Sequence, residues 1–137
     1  MQNVIKSFRL GLKAAAELVR SKKECEEVFS EFSNAIYRET NKKIFLYLSD
    51  DFGDKTKQYK VHYGDGYHYL LADNPEDPST EPHFIASVTL DMVSGFPCVV
   101  QYNKDKWHCS NRVELELALS EVVSIPDISL VFFDMIK

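Results

Sequence analysis

Apolar residues recur at spacings of three and four from the start of the chain. Ile5, Phe8, Leu12, Ala15 and Val19 fall on one helical stripe, with Lys6, Arg9 and Lys13 off it. Ser21-Lys22-Lys23-Glu24 then has the form of a capping box, in which a hydroxyl and a carboxylate satisfy each other's backbone amides. Beyond it the stripe restarts one position out of phase at Cys25, Phe29, Phe32 and Ile36. The pattern predicts two helices, about 3–19 and 22–39, with a break at Arg20–Ser21. A single long helix is the alternative, because no glycine or proline interrupts the junction.

After Asn41 the period changes to two. Lys43 to Leu48 is a short β-prone run ending in the acidic turn Asp50-Asp51-Phe52-Gly53-Asp54. Gln58 to Tyr63 alternates and runs into Gly64-Asp65-Gly66, and Tyr67 to Leu71 follows, so 57–73 reads as a hairpin. Asn74 to Pro82 carries three prolines and three acids and is expected to be a surface loop, the most mobile segment of the chain. Phe84 to Met92 is a strand, with Phe84, Ala86, Val88, Leu90 and Met92 on the apolar face and Ile85, Ser87, Thr89 and Asp91 on the other.

Cys98 to Tyr102 and Trp107 to Ser110 flank the polar turn Asn103-Lys104-Asp105-Lys106. Pairing Tyr102 with Trp107 sets Gln101 opposite His108 and Val100 opposite Cys109. Alternation then places Cys98, Val100, Tyr102, Trp107 and Cys109 on the core face, and Val99, Gln101, His108 and Ser110 on the other. In that register Cys98 and Cys109 are diagonal neighbours, which argues against a disulfide. Asn111 is an expected N-cap for a helix through Val123, with Glu114 at N3 and Val113, Leu117 and Val122 on its apolar side. Pro126 stops it, and Ile128 to Ile136 is an apolar tail that docks as a strand or helical turn. Helices, then an antiparallel meander of five to six strands, then a helix make the fold class α+β, with the helices on one sheet face. The 137 residues are enough for one domain, 1–137, with a core of its own.

Charge divides this picture unevenly. Residues 50–81 hold eight acids against three lysines, a net −5 equal to that of the whole chain, whereas residues 1–49 sum to +3. A pI near 5.3 argues against a nucleic-acid partner. The longest apolar runs fall short of the roughly 18–20 residues that span a bilayer, and the N-terminus reads as a helix, not a signal peptide. No membrane partner is expected. Cys25, Cys98 and Cys109 have no metal-type spacing and read as free buried thiols in a reducing cytoplasm.

Catalytic signatures are sparse. His62 and His68 flank one predicted turn with Asp65 between them and form the one candidate metal or acid–base cluster, for which exposed strand histidines are the commoner reading. Trp107-His108-Cys109 sets a thiol beside an imidazole, but strand alternation sends them to opposite faces, which a nucleophile and its base cannot tolerate. The glycines form no phosphate-binding run, and Val93-Ser94-Gly95 lacks the glycine a nucleophile elbow requires. No enzymatic activity, cofactor or metal is expected. The acidic middle is crowded with tyrosines instead. Tyr59, Tyr63, Tyr67 and Tyr69 lie among Asp50, Asp51, Asp54, Asp65 and Asp73, a composition suited to a protein interface; the competing reading has half the rings facing the core.

In that acidic, tyrosine-bearing segment Asp50–Glu81 and the hairpin-to-helix unit Phe96–Val123, the chain resembles the small acidic bacterial immunity proteins of contact-dependent toxin/immunity systems. The resemblance implies a cytoplasmic inhibitor, monomeric, that neutralises a basic toxin domain such as a nuclease. Asp50, Asp51, Asp54, Asp65 and Asp73 would then stand in for phosphates, with Tyr59, Tyr63, Tyr67 and Tyr69 completing the surface. Two other functions fit the composition: a secretion chaperone that dimerises around an extended client, and a small-ligand binder or enzyme built on His62 and His68.

Overall fold

In the computed structural model, which describes residues 1–50 and 66–137, helix α1 runs unbroken from Gln2 to Glu39. The expected break at Arg20–Ser21 is absent. Its residues have no special backbone requirement, and the phase shift in the apolar stripe marks where burial begins, not where a helix ends. Every residue from Met1 to Arg20 is exposed, whereas Cys25, Val28 and Phe29 are buried.

Among the described residues five strands follow: β1 (Phe45–Ser49), β2 (Tyr67–Asp73), β3 (His83–Asp91), β4 (Gly95–Tyr102) and β5 (Asp105–Cys109). They form one antiparallel sheet in sequence order. Helix α2 (Arg112–Val123) and helix α3 (Pro126–Ile136) close the chain, so the fold is α+β. The apolar tail is thus a helix. Pro126 opens it at the first turn, where its missing N–H costs nothing.

One face of the sheet, the inner face, carries the core. Leu46, Leu70, Ala72, Val88, Cys98, Val100 and Cys109 pack there against Cys25, Val28 and Phe29 of α1 and Leu115, Ala118, Leu119 and Val122 of α2. Val113 and Leu117, expected on the buried side of α2, are 65% and 60% exposed. Helix α2 is apolar on several sides, and the competing stripe at 115, 118, 119 and 122 is the one the sheet selects. Ser33 ties α1 to the sheet edge by donating to the Leu46 carbonyl at 2.5 Å. Arg112 of α2 pairs with Glu31 of α1 and, at 3.0 Å, with Glu116 on its own helix.

Two registers differ from expectation. On β3 a bulge interrupts the alternation: Leu70 pairs with Ala86 but Leu71 with Phe84, leaving Ile85 as the extra residue. Ile85 therefore joins Ala86 in the core, fully buried, and Phe84 turns to the opposite face, where it is 40% exposed. Met92 lies beyond the strand and is exposed. Between β4 and β5 the turn is Asn103-Lys104 alone, with Asn103 at φ 54°, so Tyr102 pairs with Asp105, Val100 with Trp107 and Cys98 with Cys109. The shift of two residues preserves every face assignment while setting the two cysteines directly opposite. All three cysteines are free and buried.

The Asn74–Pro82 connection is organised by its own side chains. Asn74 Oδ1 accepts from the Glu76 amide at 3.0 Å, and Asp77 Oδ1 from the Ser79 amide at 3.1 Å. The predicted strand 58–63 lies outside the described residues.

Candidate functional site

The sheet's second, outer face lies opposite the core and meets α1 only at the β1 edge among the described residues, and alternation fixes what it presents. Phe45 and Tyr47 of β1, Tyr67, Tyr69 and Leu71 of β2, and Phe84 of β3 share it. Their rings form two contact groups. Phe45 stacks on Tyr47 at 5.8 Å and meets Tyr37 of α1 edge-on at 6.1 Å. Tyr69 contacts Tyr67 at 5.1 Å and Phe84 at 6.1 Å, both in edge-to-face geometry. Tyr67 donates its hydroxyl hydrogen to Ser87 Oγ at 2.7 Å, which fixes the ring over the neighbouring strand.

Pairing extends this surface across the sheet. Tyr69 lies opposite Ser87, which lies opposite Gln101, which lies opposite Lys106. One row further on, Tyr67, Thr89, Val99 and His108 align in the same way. The tyrosines and the Gln101/His108 pair, two separate groups in the sequence, are thus two ends of one face. The end on β1–β3 is aromatic; the end on β4–β5 is polar, with Lys106 and His108 exposed.

Exposure sorts the aromatic residues by role. Phe45 and Phe84 are 41% and 40% exposed, and Tyr47 and Tyr67 are half-buried. Tyr69 is 3% exposed, so it supports the surface from beneath. Of the acids, Asp50 is exposed just past β1, and Asp73 ends β2 opposite Phe45. Burial, helped by the Asp73 carboxylate, pushes the Tyr47 hydroxyl above the ordinary tyrosine range. Asp51, Asp54, Tyr59, Tyr63 and Asp65 lie outside the described residues, as does His62.

His68 points the other way. It pairs with Val88 on the inner face, and burial lowers its pKa against the opposing pull of Asp50. A neutral, half-buried imidazole on the helix side of the sheet does not belong to the tyrosine surface. Among the described residues, no group of three or more His, Cys, Asp or Glu is placed to hold a metal ion.

Sequence reasoning missed Phe45 and Phe84. Phe84 was hidden by the bulge, which no residue preference announces. Phe45 had a signal in its alternation with buried Leu46. Among the described residues no helix is long and apolar enough to cross a membrane. Comparison with protein-family models, curated proteins and solved structures finds no match.

Proposed function

We propose that the protein is an inhibitor that binds a cognate protein toxin, an immunity protein acting through the outer face of its sheet and the carboxylates beside it. The observation that carries this reading is the gathering of Phe45, Tyr47, Tyr67 and Phe84 over three adjacent strands, on the face opposite the core. Rings held by their neighbours bury large areas on binding at little cost in side-chain entropy, which is why aromatic residues dominate interface hot spots. Asp73 ends β2 opposite Phe45 on the same face, and Asp50 follows β1. Carboxylates at the rim of an aromatic patch speed encounter with a cationic partner and add to specificity. A nuclease domain is the toxin class such a surface suits, because a cleft built for phosphates is lined with cations. Three free buried thiols fit a reducing cytoplasm as the place of action.

The test looks for an exported protein encoded beside this chain and co-expresses its C-terminal domain with the chain. The native chain should restore growth, and the double variant Phe45→Ser/Phe84→Ser should not, while remaining folded. Loss of two exposed aromatic anchors should weaken binding by at least about tenfold. A toxin that kills equally well in the presence of the native chain would sink the reading.

A further inference from the structure

Residues 1–20, all but Met1 within α1, make up about 30 Å of helix, and every one of them is exposed. Their apolar side chains are large: Val4 is 58% exposed, Phe8 63%, Leu12 56% and Val19 68%. At 100° per residue, Val4, Ile5, Phe8, Leu12, Ala15 and Val19 occupy a single arc of this segment, with Lys6, Arg9, Lys13 and Arg20 grouped along one flank of it. The arc that the body buries further along, at Cys25, Val28, Phe29, Phe32 and Ile36, is rotated from the first by about a third of a turn. A straight helix cannot lay both arcs on the same body. The first arc is therefore built for a different surface.

Charge decides which surface. Residues 1–20 hold four cations against the single acid Glu17, whereas the whole chain is net −5. All of the positive excess of the N-terminal region is concentrated in the segment that projects. A second copy is a poor occupant for this arc. Two such helices would bring like charges together, and the residues flanking the arc, Arg9, Gly11, Ala16 and Leu18, include no acid to pair with Arg9 across a dimer. An anionic lipid surface satisfies both halves of the pattern. Apolar side chains enter the boundary between headgroups and acyl chains, and lysines and arginines reach the phosphates along their flexible stems.

We infer that residues 1–20 of α1 form an interfacial anchor that lies on an anionic bilayer surface, inserting Val4, Ile5, Phe8, Leu12 and Val19 and directing Lys6, Arg9, Lys13 and Arg20 to lipid phosphates. A helix that lies on a membrane needs one apolar arc and not a spanning run, so the shortness of the apolar runs does not bear on it. Because the two arcs differ by about a third of a turn, the bilayer and the acidic body use different sides of one helix. The anchor does not depend on the toxin-binding reading, since it uses no residue of the sheet.

The experiment is co-sedimentation of the full chain with sucrose-loaded vesicles of phosphatidylcholine alone and of phosphatidylcholine with one quarter phosphatidylglycerol. Binding to the anionic vesicles should be at least about tenfold tighter than to the neutral ones and should weaken as salt is raised. Phe8→Ser/Leu12→Ser should reduce anionic binding by at least about tenfold. Lys6→Gln/Arg9→Gln/Lys13→Gln should abolish the preference for anionic vesicles. Both variants should keep the native urea midpoint, because all of these residues are exposed. Absence of vesicle binding, or equal binding to both compositions, would overturn the inference. So would a concentration-dependent dimer that Phe8→Ser/Leu12→Ser converts to monomer without vesicle binding, which would assign the arc to a second copy.

Discussion

Gly95, the first residue of β4, lies against Cys25 of α1 so closely that a Cβ on the glycine would stand 2.7 Å from the Cys25 Cβ. Its φ of +77° belongs to the left-handed region. The contact is where the long helix first meets the sheet, since Cys25 is also the first buried residue of α1. Gly95→Ala meets both a strained backbone and a fixed neighbour. We expect it to cost about 2–4 kcal/mol, read as a lower urea midpoint, from left-handed strain together with overpacking. An unchanged midpoint would mean that α1 is not seated on β4 as described.

The two opposed thiols set a limit on stability at high pH. Cys98 and Cys109 are 0% and 1% exposed. A thiol hydrogen bond with Cys25, and then burial, raises Cys98 strongly, and burial pushes Cys109 up to about 11. In the unfolded chain these groups ionise near an ordinary thiol pKa of about 8.5. The unfolded state therefore sheds protons that the native state keeps, and stability is complete below that value and falls as pH rises. Cys109 should contribute a slope of about 1.4 kcal/mol per pH unit, ending near 11, whereas the hydrogen bond that raises Cys98 lowers Cys25 and offsets its share. Urea titrations between pH 8 and 10.5 should show a shallower decline in Cys109→Ala than in the native chain. Equal slopes would show that the thiol is not protected, as would rapid reaction of the native protein with Ellman's reagent.

Asn111 caps α2, its Oδ1 accepting from the Glu114 amide at 3.0 Å while Glu114 Oε1 accepts from the Ser110 amide at 3.2 Å. Asn111→Ala removes an acceptor from the helix start and should cost about 1 kcal/mol, whereas Asn111→Asp should be close to neutral. Chemical unfolding of the two variants side by side distinguishes loss of the cap from loss of the side chain's bulk.

The cap was legible because its signal is local: one side chain, one turn and the residue three positions on. The same holds for the strand faces of β4 and β5, where alternation survives a register shift of two. What was not legible depended on partners distant in sequence. The bulge that exchanges Ile85 for Phe84 arises from pairing with Leu70 and Leu71, and nothing in the run from Phe84 to Met92 encodes it. The choice between two apolar stripes on α2 was made by the sheet it packs on. For the candidate site, tyrosine content pointed to β2, but that Tyr69 is buried while Phe84 is exposed follows only from the packing.

Trp107 is the single tryptophan of the chain, and its indole N–H donates to a carboxylate oxygen of Glu121 on α2. The pair joins β5 to α2 at a half-exposed position, so solvent discounts its strength. Glu121→Ala should cost about 0.5–1 kcal/mol and red-shift the tryptophan emission as water takes the place of the carboxylate. Emission that is unaltered by the substitution would show that the two residues are not in contact in solution.

The projecting half of α1 should behave as an appendage whose order is set apart from that of the body. Twenty residues of isolated helix are marginal in water, because the first turn costs more than it gains. Here the nucleus already exists, since the turns around Cys25, Val28 and Phe29 are held by the core and the helix need only propagate toward the N-terminus. Propagation depends on residue preference alone where nothing packs. Gly11 is the weak point: it is exposed, and a Cβ there would meet nothing within 4 Å. Gly11→Ala should therefore stabilise the segment by about 1 kcal/mol, raising the far-UV helical signal and slowing amide exchange before residue 20. The urea midpoint reported by Trp107 should not move, because that residue follows the body. A midpoint that rises together with the helical signal would show that residues 1–20 unfold with the core, and that the helix is one cooperative unit over its whole length.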